Sequence, residues 1–301
     1  MNDIEDDEEA YNSYDSYDDD EENDEESYDV RFSLQQPVEI SIRDVAKRYF
    51  GDDSDVDCPF IAAIAKRRAG KSYFLRALMY QAEQYKKAQF DACFLFSGSA
   101  GVNTDWDCIA PRYRWNEWDD AAAAHLLDIL DNQRRLFEEV AESDDPTKRG
   151  PQIFVVLDDI LGTGQLYSGA RGRALTQVAT RGRHVGVTCV VALQTWTSFR
   201  LIKDQSDCLL IWRSPSRLQR RALVEDHMCI EETSSMDSFR RAEAFYDQCF
   251  PTKNHAMVLD LAAARGARSL NEYIYSCAAP SDEKAPRFAL GPEHHWESVN
   301  Q

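Results

Sequence analysis

Residues 58–79 read Cys-Pro-Phe-Ile-Ala-Ala-Ile-Ala-Lys-Arg-Arg-Ala-Gly-Lys-Ser-Tyr-Phe-Leu-Arg-Ala-Leu-Met. Cys58–Ala65 is a continuous apolar run, typical of a strand that is buried on both faces. After the loop, Leu75, Leu78, Met79 and Ala82 recur at the spacing of an amphipathic helix. The order strand, charged loop, helix predicts one unit of an α/β fold.

The loop itself, residues 65–72, matches the phosphate-binding consensus GxxxxGKS/T except for Ala65 at the first position. In such a loop, backbone N–H groups and the positive end of the helix hold phosphate oxygens. Lys71 would bridge the β and γ phosphates of ATP, and the Ser72 hydroxyl would bind Mg²⁺. Gly70 would keep the backbone close to the phosphates. The alternative is a chance Gly-Lys-Ser at the start of a helix.

The predicted nucleotide-binding residues are therefore the loop and the first helical turn: Ala65, Lys66, Arg67, Arg68, Ala69, Gly70, Lys71, Ser72 and Tyr73. ATP and Mg²⁺ are the predicted cofactors.

A second apolar run, Ile153–Leu157, ends in two carboxylates. Asp158 is predicted to bind Mg²⁺, and Asp159 to polarise the attacking water as a general base. Taken alone, two acids after a strand could equally form a helix cap or a turn.

Polar residues also flank the next predicted strand, Val187–Leu193. Gln194 follows it and is predicted to reach the γ phosphate or the attacking water; the alternative is an ordinary loop glutamine. Arg181 and Arg183 precede it and are candidates for a guanidinium that completes a neighbouring subunit's site. Each could instead be a solvent-facing or ion-paired arginine. A carboxylate base and a polar sensor favour an ATPase over a nucleotide or metabolite kinase.

Further strands are predicted at Pro37–Ile42, Asp91–Phe96, Cys208–Trp212 and His255–Leu261. Helices are predicted at Arg43–Phe50, 120–141, Arg171–Ala179, Arg217–His227 and Asp237–Cys249. Alternation at these lengths predicts an α/β fold with a mostly parallel central sheet and helices on both faces.

Charge divides the chain unevenly. Residues 1–29 hold 16 of the 53 acidic residues and no Lys or Arg, so 37 acids face 34 bases in the remainder, a balance of -3 rather than -19. The folded part is thus compatible with nucleic-acid binding. We expect a disordered acidic tail over 1–29, an ATPase domain over 30–278 and a C-terminal tail over 279–301.

Eight scattered cysteines form no CxxC pair, and several lie in apolar runs. Buried, reduced thiols are the expectation, in a cytosol-like compartment. From the acidic first residues we expect no signal peptide, and from the length of the apolar runs we expect no membrane-spanning segment.

With these motifs in hand, the sequence resembles the poxvirus-type DNA-packaging ATPases of the HerA–FtsK superfamily. The resemblance rests on the loop Ala65–Ser72, the pair Asp158-Asp159, the segment 180–184 and Gln194, and it spans about residues 56–262. Ala65 and the charged Lys66-Arg67-Arg68 depart from the family pattern. The fold that it implies is a P-loop NTPase of the RecA-like (ASCE) class.

The resemblance also implies a function: a homo-oligomeric ring, hexameric or pentameric, that uses ATP hydrolysis to pump double-stranded viral DNA into a preformed capsid. DNA would bind without sequence specificity, and a capsid or portal-vertex protein would be the docking partner. The expected location is the host cytoplasm, the virus factory or the virion. Arg213, Arg217, Arg220, Arg221, Arg240 and Arg241 could line a DNA pore or simply be solvated.

Two other functions fit the same motifs. One is a cellular-type translocase or helicase of the same superfamily. The other is a nucleotide-binding assembly protein whose ATP state gates a partner without moving DNA.

Overall fold

The computed structural model describes residues 36–99, 104–145, 147–160, 169–195, 200–228, 236–279 and 288–292. The predicted acidic tail, residues 1–29, lies outside these ranges. So does most of the predicted C-terminal tail.

Within the described ranges, nine strands form a single sheet. They are β1 (Val38–Ile40), β2 (Phe60–Ile64), β3 (Ala92–Ser97), β4 (Arg114–Trp115), β5 (Ile153–Asp158), β6 (Val187–Leu193), β7 (Cys208–Trp212), β8 (His255–Asp260) and β9 (Ile274–Ala278).

Eight α-helices accompany the sheet in the described part of the chain. They are α1 (Ile42–Phe50), α2 (Lys71–Ala82), α3 (Asp120–Ala141), α4 (Gly169–Arg181), α5 (Arg200–Gln205), α6 (Arg217–His227), α7 (Met236–Gln248) and α8 (Leu261–Ala264).

The spatial strand order is β1-β9-β8-β7-β2-β6-β5-β3-β4. All neighbours run parallel except β8, which is antiparallel to both β7 and β9. The prediction of a mostly parallel sheet is therefore confirmed. Because β2, β5 and β6 are adjacent and parallel, the residues that follow them meet at one edge of the sheet.

Each face of the sheet has its own apolar core. On one face, α1 and α2 cover alternate strand residues such as Ile61 and Val156. On the other face, helices α3, α4, α6 and α7 pack over residues such as Ala62 and Val155. Burial of both faces explains why β2, β5 and β6 read as unbroken apolar runs.

The predicted strands and helices are confirmed, with shifts of a few residues at their ends. The structure adds β4, α5, α8 and β9, which the sequence did not predict. The interpretation of His255–Leu261 as the last strand is wrong, because β9 follows it and pairs with both β8 and β1. β9 is a short mixed run, Ile-Tyr-Ser-Cys-Ala, that acquires its strand character from these two partners.

Two smaller expectations concern the cysteines and the membrane. The seven described cysteines are free thiols, and six of them are buried. Among the helices of the described ranges, none combines the length and the apolar character that crossing a bilayer requires.

Candidate functional site

The phosphate-binding consensus forms the connection between β2 and α2. Gly70 is the residue that precedes the helix, and it adopts the left-handed backbone conformation with φ of 84°. An added Cβ there would meet no protein atom within 4 Å. Within the chain, glycine is therefore favoured by its backbone angle rather than by crowding, because residues with a Cβ rarely adopt this φ.

The start of α2 is open to an anion. No side chain caps the helix at Gly70, and its first turn contains no acidic residue. The first N–H groups of an α-helix have no partner within the helix, and they carry the positive end of its dipole. This end of α2 thus offers backbone donors toward the space in front of it.

That space is a cleft of about 450 Å³. Its lining consists of the loop, the first turn of α2 and polar residues from neighbouring strand ends: Lys66, Arg67, Arg68, Ala69, Gly70, Lys71, Ser72, Tyr73, Ser99, Asp105, Asp158, Asp159 and Gln194. All of the predicted nucleotide-binding residues except Ala65 contact it.

Asp158 lies at the centre of the cleft and is 3% exposed. Its Oδ1 is 3.6 Å from the Lys71 Nζ. Its Oδ2 accepts a hydrogen bond from the Ser72 hydroxyl at 3.4 Å and another from the indole Nε1 of Trp106 at 2.9 Å. The carboxylate therefore holds the two loop side chains that the sequence assigns to phosphate and magnesium.

Asp159 leaves the strand in a different direction. Its φ of 51° is left-handed, a conformation that is uncommon for a residue with a Cβ but tolerated by Asp. The Oδ1 of Asp159 accepts a hydrogen bond of 2.6 Å from the side-chain amide of Gln194. The two neighbouring carboxylates thus have separate partners, as their predicted separate roles require.

Burial and charge act in opposite directions on Lys71. Burial lowers its pKa below the ordinary value of lysine, and the nearby Asp158 and Asp159 carboxylates raise it. A largely buried ammonium group at the start of a helix, where the first N–H groups have no partner within the helix, favours an anionic ligand. These features fit the phosphates of a nucleotide.

The donor set also fits Mg²⁺ of the kind that is held together with phosphates. The described residues contain no group of three or more His, Cys, Asp or Glu that could hold a metal by themselves. The Ser72 hydroxyl and one carboxylate, Asp158, do share a corner of the cleft. Mg²⁺ is commonly held by one or two such groups, with waters and phosphate oxygens as its other ligands.

Ala65, the departure from the consensus, is buried and continues β2. Its N–H donates to the Leu193 carbonyl at 3.0 Å. Its φ is not positive, so the backbone at this position does not require glycine. The three basic residues that follow, Lys66, Arg67 and Arg68, are exposed at the mouth of the cleft.

Arg181 and Arg183 are not brought to this cleft. Arg181 ends α4, and Arg183 lies in the 3-10 turn Gly182–Val185 just before β6. Gln194 follows the other end of β6, and seven residues of extended strand span about 23 Å. Both arginines are exposed. Of the two further arginines in α4, Arg171 forms an ion pair of 3.0 Å with Asp120.

The arginines suggested for DNA contact are partly engaged within the chain. Arg213 lies 2.9 Å from Asp247, Arg220 lies 2.8 Å from Glu243, and Arg221 lies 2.7 Å from Glu225. These acids reduce the net positive charge of the surface formed by α6 and α7.

Sequence reasoning missed Ser99 and Asp105, which line the cleft, and Trp106, which donates a hydrogen bond to Asp158 without lining it. Ser99 could have been found, because it follows β3 at the same edge of the sheet as Asp158. Trp106 had no such signal, since it lies in an irregular connection far from the motifs. Only the packing of the 3-10 turn Thr104–Trp106 against α2 brings it to Asp158.

No protein-family model matches the sequence, and no curated protein matches it. Several solved structures are similar. ATPases 2 and 3 of EssC from Geobacillus thermodenitrificans align over 75% of this chain and 41% of theirs, with 14% identity and a TM-score of 0.49. This chain thus spans less than half of that EssC chain.

Two further similar structures are those of smaller proteins. The genome packaging NTPase B204 of Sulfolobus turreted icosahedral virus 2, bound to ATP-gammaS, aligns over 75% of this chain and 99% of its own, with 10% identity and a TM-score of 0.45. The pCW3 conjugation coupling protein TcpA, bound to ATPgS, aligns over 74% and 60%, with 13% identity and a TM-score of 0.47. Identities this low do not carry over what these proteins bind or move. The strand order, the loop before α2 and the carboxylates after β5 are those of a P-loop NTPase fold.

Proposed function

We propose that residues 30–278 form an ATPase domain that binds ATP with Mg²⁺ and hydrolyses it. One observation carries the proposal: Lys71, Ser72, Asp158, Asp159 and Gln194 come from three separate segments and meet in one cleft. A chance Gly-Lys-Ser would not be accompanied by a carboxylate within 4 Å of both its lysine and its serine.

Each residue then has a role that its position permits. The loop N–H groups and Lys71 hold the β and γ phosphates, and Ser72 and Asp158 hold Mg²⁺, directly or through water. When bound, Mg²⁺ neutralises charge that develops on the phosphate oxygens. Asp159 accepts a proton from the attacking water, and Gln194 orients Asp159 through the hydrogen bond between them.

The arginines support a further proposal, that the active unit is an oligomeric ring. Arg181 and Arg183 lie at the opposite edge of the sheet from their own cleft, so either could complete only the cleft of another subunit. A guanidinium delivered in this way stabilises the charge of the transition state.

We further propose that hydrolysis drives double-stranded DNA into a viral capsid. The resemblance of the motif order to packaging ATPases supports this assignment, as does the nearly neutral charge of the chain beyond residue 29. Such a motor would contact phosphates without reading bases.

The first experiment compares two buried lysines. Lys71 and Lys203 are 11% and 10% exposed, and each forms an ion pair with an aspartate, at 3.6 Å and 3.0 Å. Lys71→Ala should abolish ATP turnover because it removes the phosphate ligand. Lys203→Ala should leave turnover within about twofold of the wild type, because its effect is confined to stability, on the order of 1 kcal/mol. Unchanged turnover in Lys71→Ala would refute the site.

The second experiment asks what the hydrolysis drives. Turnover should rise when double-stranded DNA is added, and it should rise equally with duplexes of unrelated sequence. An ATP turnover rate that does not change when DNA is added would favour a nucleotide-binding assembly protein that gates a partner without moving DNA. Unwinding of a forked duplex would favour a helicase.

A further inference from the structure

Of the three side-chain contacts of the Asp158 carboxylate described above, the hydrogen bond from Trp106 is the shortest. The indole Nε1 and the Ser72 hydroxyl lie 2.9 Å and 3.4 Å from Oδ2. The Lys71 ammonium lies 3.6 Å from Oδ1. Trp106 is 2% exposed and Asp158 is 3% exposed. Burial excludes water as a competitor, so the indole is a strong and directional partner of this carboxylate.

The three partners of Asp158 differ in whether a nucleotide with Mg²⁺ would compete with the carboxylate for them. Lys71 and Ser72 are the side chains that phosphate and Mg²⁺ attract, so a ligand in the cleft would compete with the carboxylate for both of them. The indole N–H can donate one hydrogen bond and bind no metal. Among these three contacts, only the one with Trp106 persists without competition from the ligand.

The backbone of the segment that contains Trp106 is also fixed by hydrogen bonds. The Ile109 N–H donates to the Trp106 carbonyl at 3.0 Å, and Ile109 in turn accepts a hydrogen bond of 2.7 Å from the Arg114 guanidinium. The carbonyl of Cys108, two residues after Trp106, accepts a hydrogen bond of 2.6 Å from the Leu290 N–H. Trp106 therefore approaches Asp158 from a segment that is fixed at several points.

We infer that Trp106 is a positioning residue for magnesium: it holds the Asp158 carboxylate in its orientation when Lys71 and Ser72 turn to the nucleotide. This inference rests on the proposed ATPase function. Trp106 lies outside the sequence motifs described above, and the inference assigns to it the support of the proposed metal ligand Asp158. Loss of such a supporting hydrogen bond typically costs tenfold to a hundredfold in metal affinity.

The test measures binding rather than turnover. A fluorescent, non-hydrolysable ATP analogue is titrated onto the full chain in EDTA and then at increasing Mg²⁺. Trp106→Phe should raise the Mg²⁺ concentration for half-maximal enhancement of binding by about tenfold or more. Affinity in EDTA should stay within about twofold of the wild type, since the loop that holds the phosphates is intact.

Trp118→Phe is the matched control. Trp118 is also buried, and it packs edge-on against Phe96, but its indole Nε1 has no hydrogen-bond partner in the described part of the chain. Trp118→Phe makes the same change in volume without removing a hydrogen bond, so its Mg²⁺ midpoint should match that of the wild type. Equal midpoints for Trp106→Phe and Trp118→Phe would overturn the inference.

A double-mutant cycle separates positioning from general damage to the fold. If Trp106 acts through Asp158, then Trp106→Phe should shift the Mg²⁺ midpoint by less than about twofold in an Asp158→Asn background. The same shift in both backgrounds would mean that the indole acts elsewhere. A wild-type chain that binds no nucleotide would overturn the proposed function itself. Wild-type binding with an unshifted Trp106→Phe midpoint would overturn only this inference.

The indole N–H signals provide a test that does not depend on the folding of Trp106→Phe. The chain has six tryptophans, each with one indole resonance in a ¹⁵N spectrum. Asp158→Asn should shift one resonance strongly, and in the wild type that resonance should keep its position when Mg²⁺ and the analogue are added. If no indole responds to Asp158→Asn, the hydrogen bond does not form in solution and the inference fails.

Discussion

Two clefts of similar size lie at opposite edges of the sheet. The cleft at the carboxyl ends of the strands has a volume of about 450 Å³, and the one at the amino ends has a volume of about 530 Å³. Both contain lysine, arginine and aspartate. They differ in what those charged groups contact.

At the amino edge, the charged groups tie the chain together. Asp207 accepts a hydrogen bond of 2.8 Å from the Phe60 N–H at the start of β2. Lys203 binds Asp226 at 3.0 Å, and Lys87 binds Asp57 at 2.9 Å. The first contact joins the start of β2 to the residue before β7, the second joins α5 to α6, and the third joins the 3-10 turn Lys86–Ala88 to the loop before β2.

At the carboxyl edge, the polar groups point toward a shared space, and a helix begins there without a side-chain cap. In a parallel sheet with helical crossovers, helices begin at the carboxyl ends of strands, so their positive ends gather at this edge. The comparison teaches that cleft volume and charge do not identify a site. The candidate site is identified instead by the helix that begins at this edge and by the backbone N–H donors that its first turn offers.

The largest expected effect is a loss of ATP turnover at the carboxyl edge when an arginine at the amino edge is replaced. If one of the two candidate arginines completes a neighbour's cleft, as proposed, its replacement should lower turnover by about 10³-fold to 10⁵-fold. Arg181→Ala and Arg183→Ala are compared with Arg173→Ala, which removes another exposed arginine of α4. One of the first two should lose activity, and the control should not.

Mixed rings then test whether the arginine acts between subunits. Rings assembled from the inactive arginine variant and Asp159→Asn should regain part of the activity, because some clefts receive an intact residue from each chain. If ATP turnover does not recover at any mixing ratio, the arginine does not act in trans on the cleft of a neighbouring subunit.

The next effect is confined to the carboxyl edge. Asp159→Asn should lower turnover by about 10²-fold to 10⁴-fold, because amide nitrogen cannot accept the proton of the attacking water. ATP binding should persist, since Lys71, Ser72 and Asp158 remain. Single-turnover rates and analogue affinity measure the two properties separately. An equal loss of binding and rate would assign Asp159 to binding instead.

The smallest effect belongs to the amino edge and concerns stability. Burial raises the pKa of Asp207 above the ordinary Asp value, and the Phe60 N–H and the nearby Arg183 and Arg265 partly oppose it. The folded state therefore holds this proton more tightly than the unfolded state. The contribution of Asp207 to stability is therefore fully present below the ordinary Asp pKa, about 3.9, and is lost as pH rises through the raised pKa of the folded state.

Asp207→Asn should remove this fall, because asparagine can still accept the hydrogen bond of Phe60 but carries no charge. The free energy of unfolding of Asp207→Asn should stay level over the pH range in which that of the wild type falls. Urea unfolding across the acidic range measures it, with turnover as the control that should stay unchanged. A large loss of turnover in Asp207→Asn would break the contrast between a structural edge and a catalytic edge.

Much of the carboxyl edge could be predicted from the sequence. The loop, the two aspartates and the glutamine each follow an apolar run that is buried on both faces, and parallel pairing then brings their positions together. Local patterns suffice here because each polar group is adjacent to the strand that positions it. The amino edge offered no comparable pattern, and neither its cleft nor the role of Asp207 was predicted.

β9 and Trp106 show the limits of local reasoning in this chain. β9 forms between β8 and β1, whose sequence positions are far apart, so its five residues contain too little periodicity to reveal it. Trp106 reaches Asp158 across a separation of 52 residues. Contacts of this kind depend on how irregular segments pack, and that packing has no period in the sequence.

By itself, then, the sequence determined the α/β class and most of the residues that line the cleft before α2, because strand burial and helix periodicity are local properties. Only the tertiary structure decided which edge of the sheet each arginine occupies, that β8 reverses direction, and that an indole holds Asp158. Those features depend on contacts between distant segments, and their energies arise only when the chain is folded.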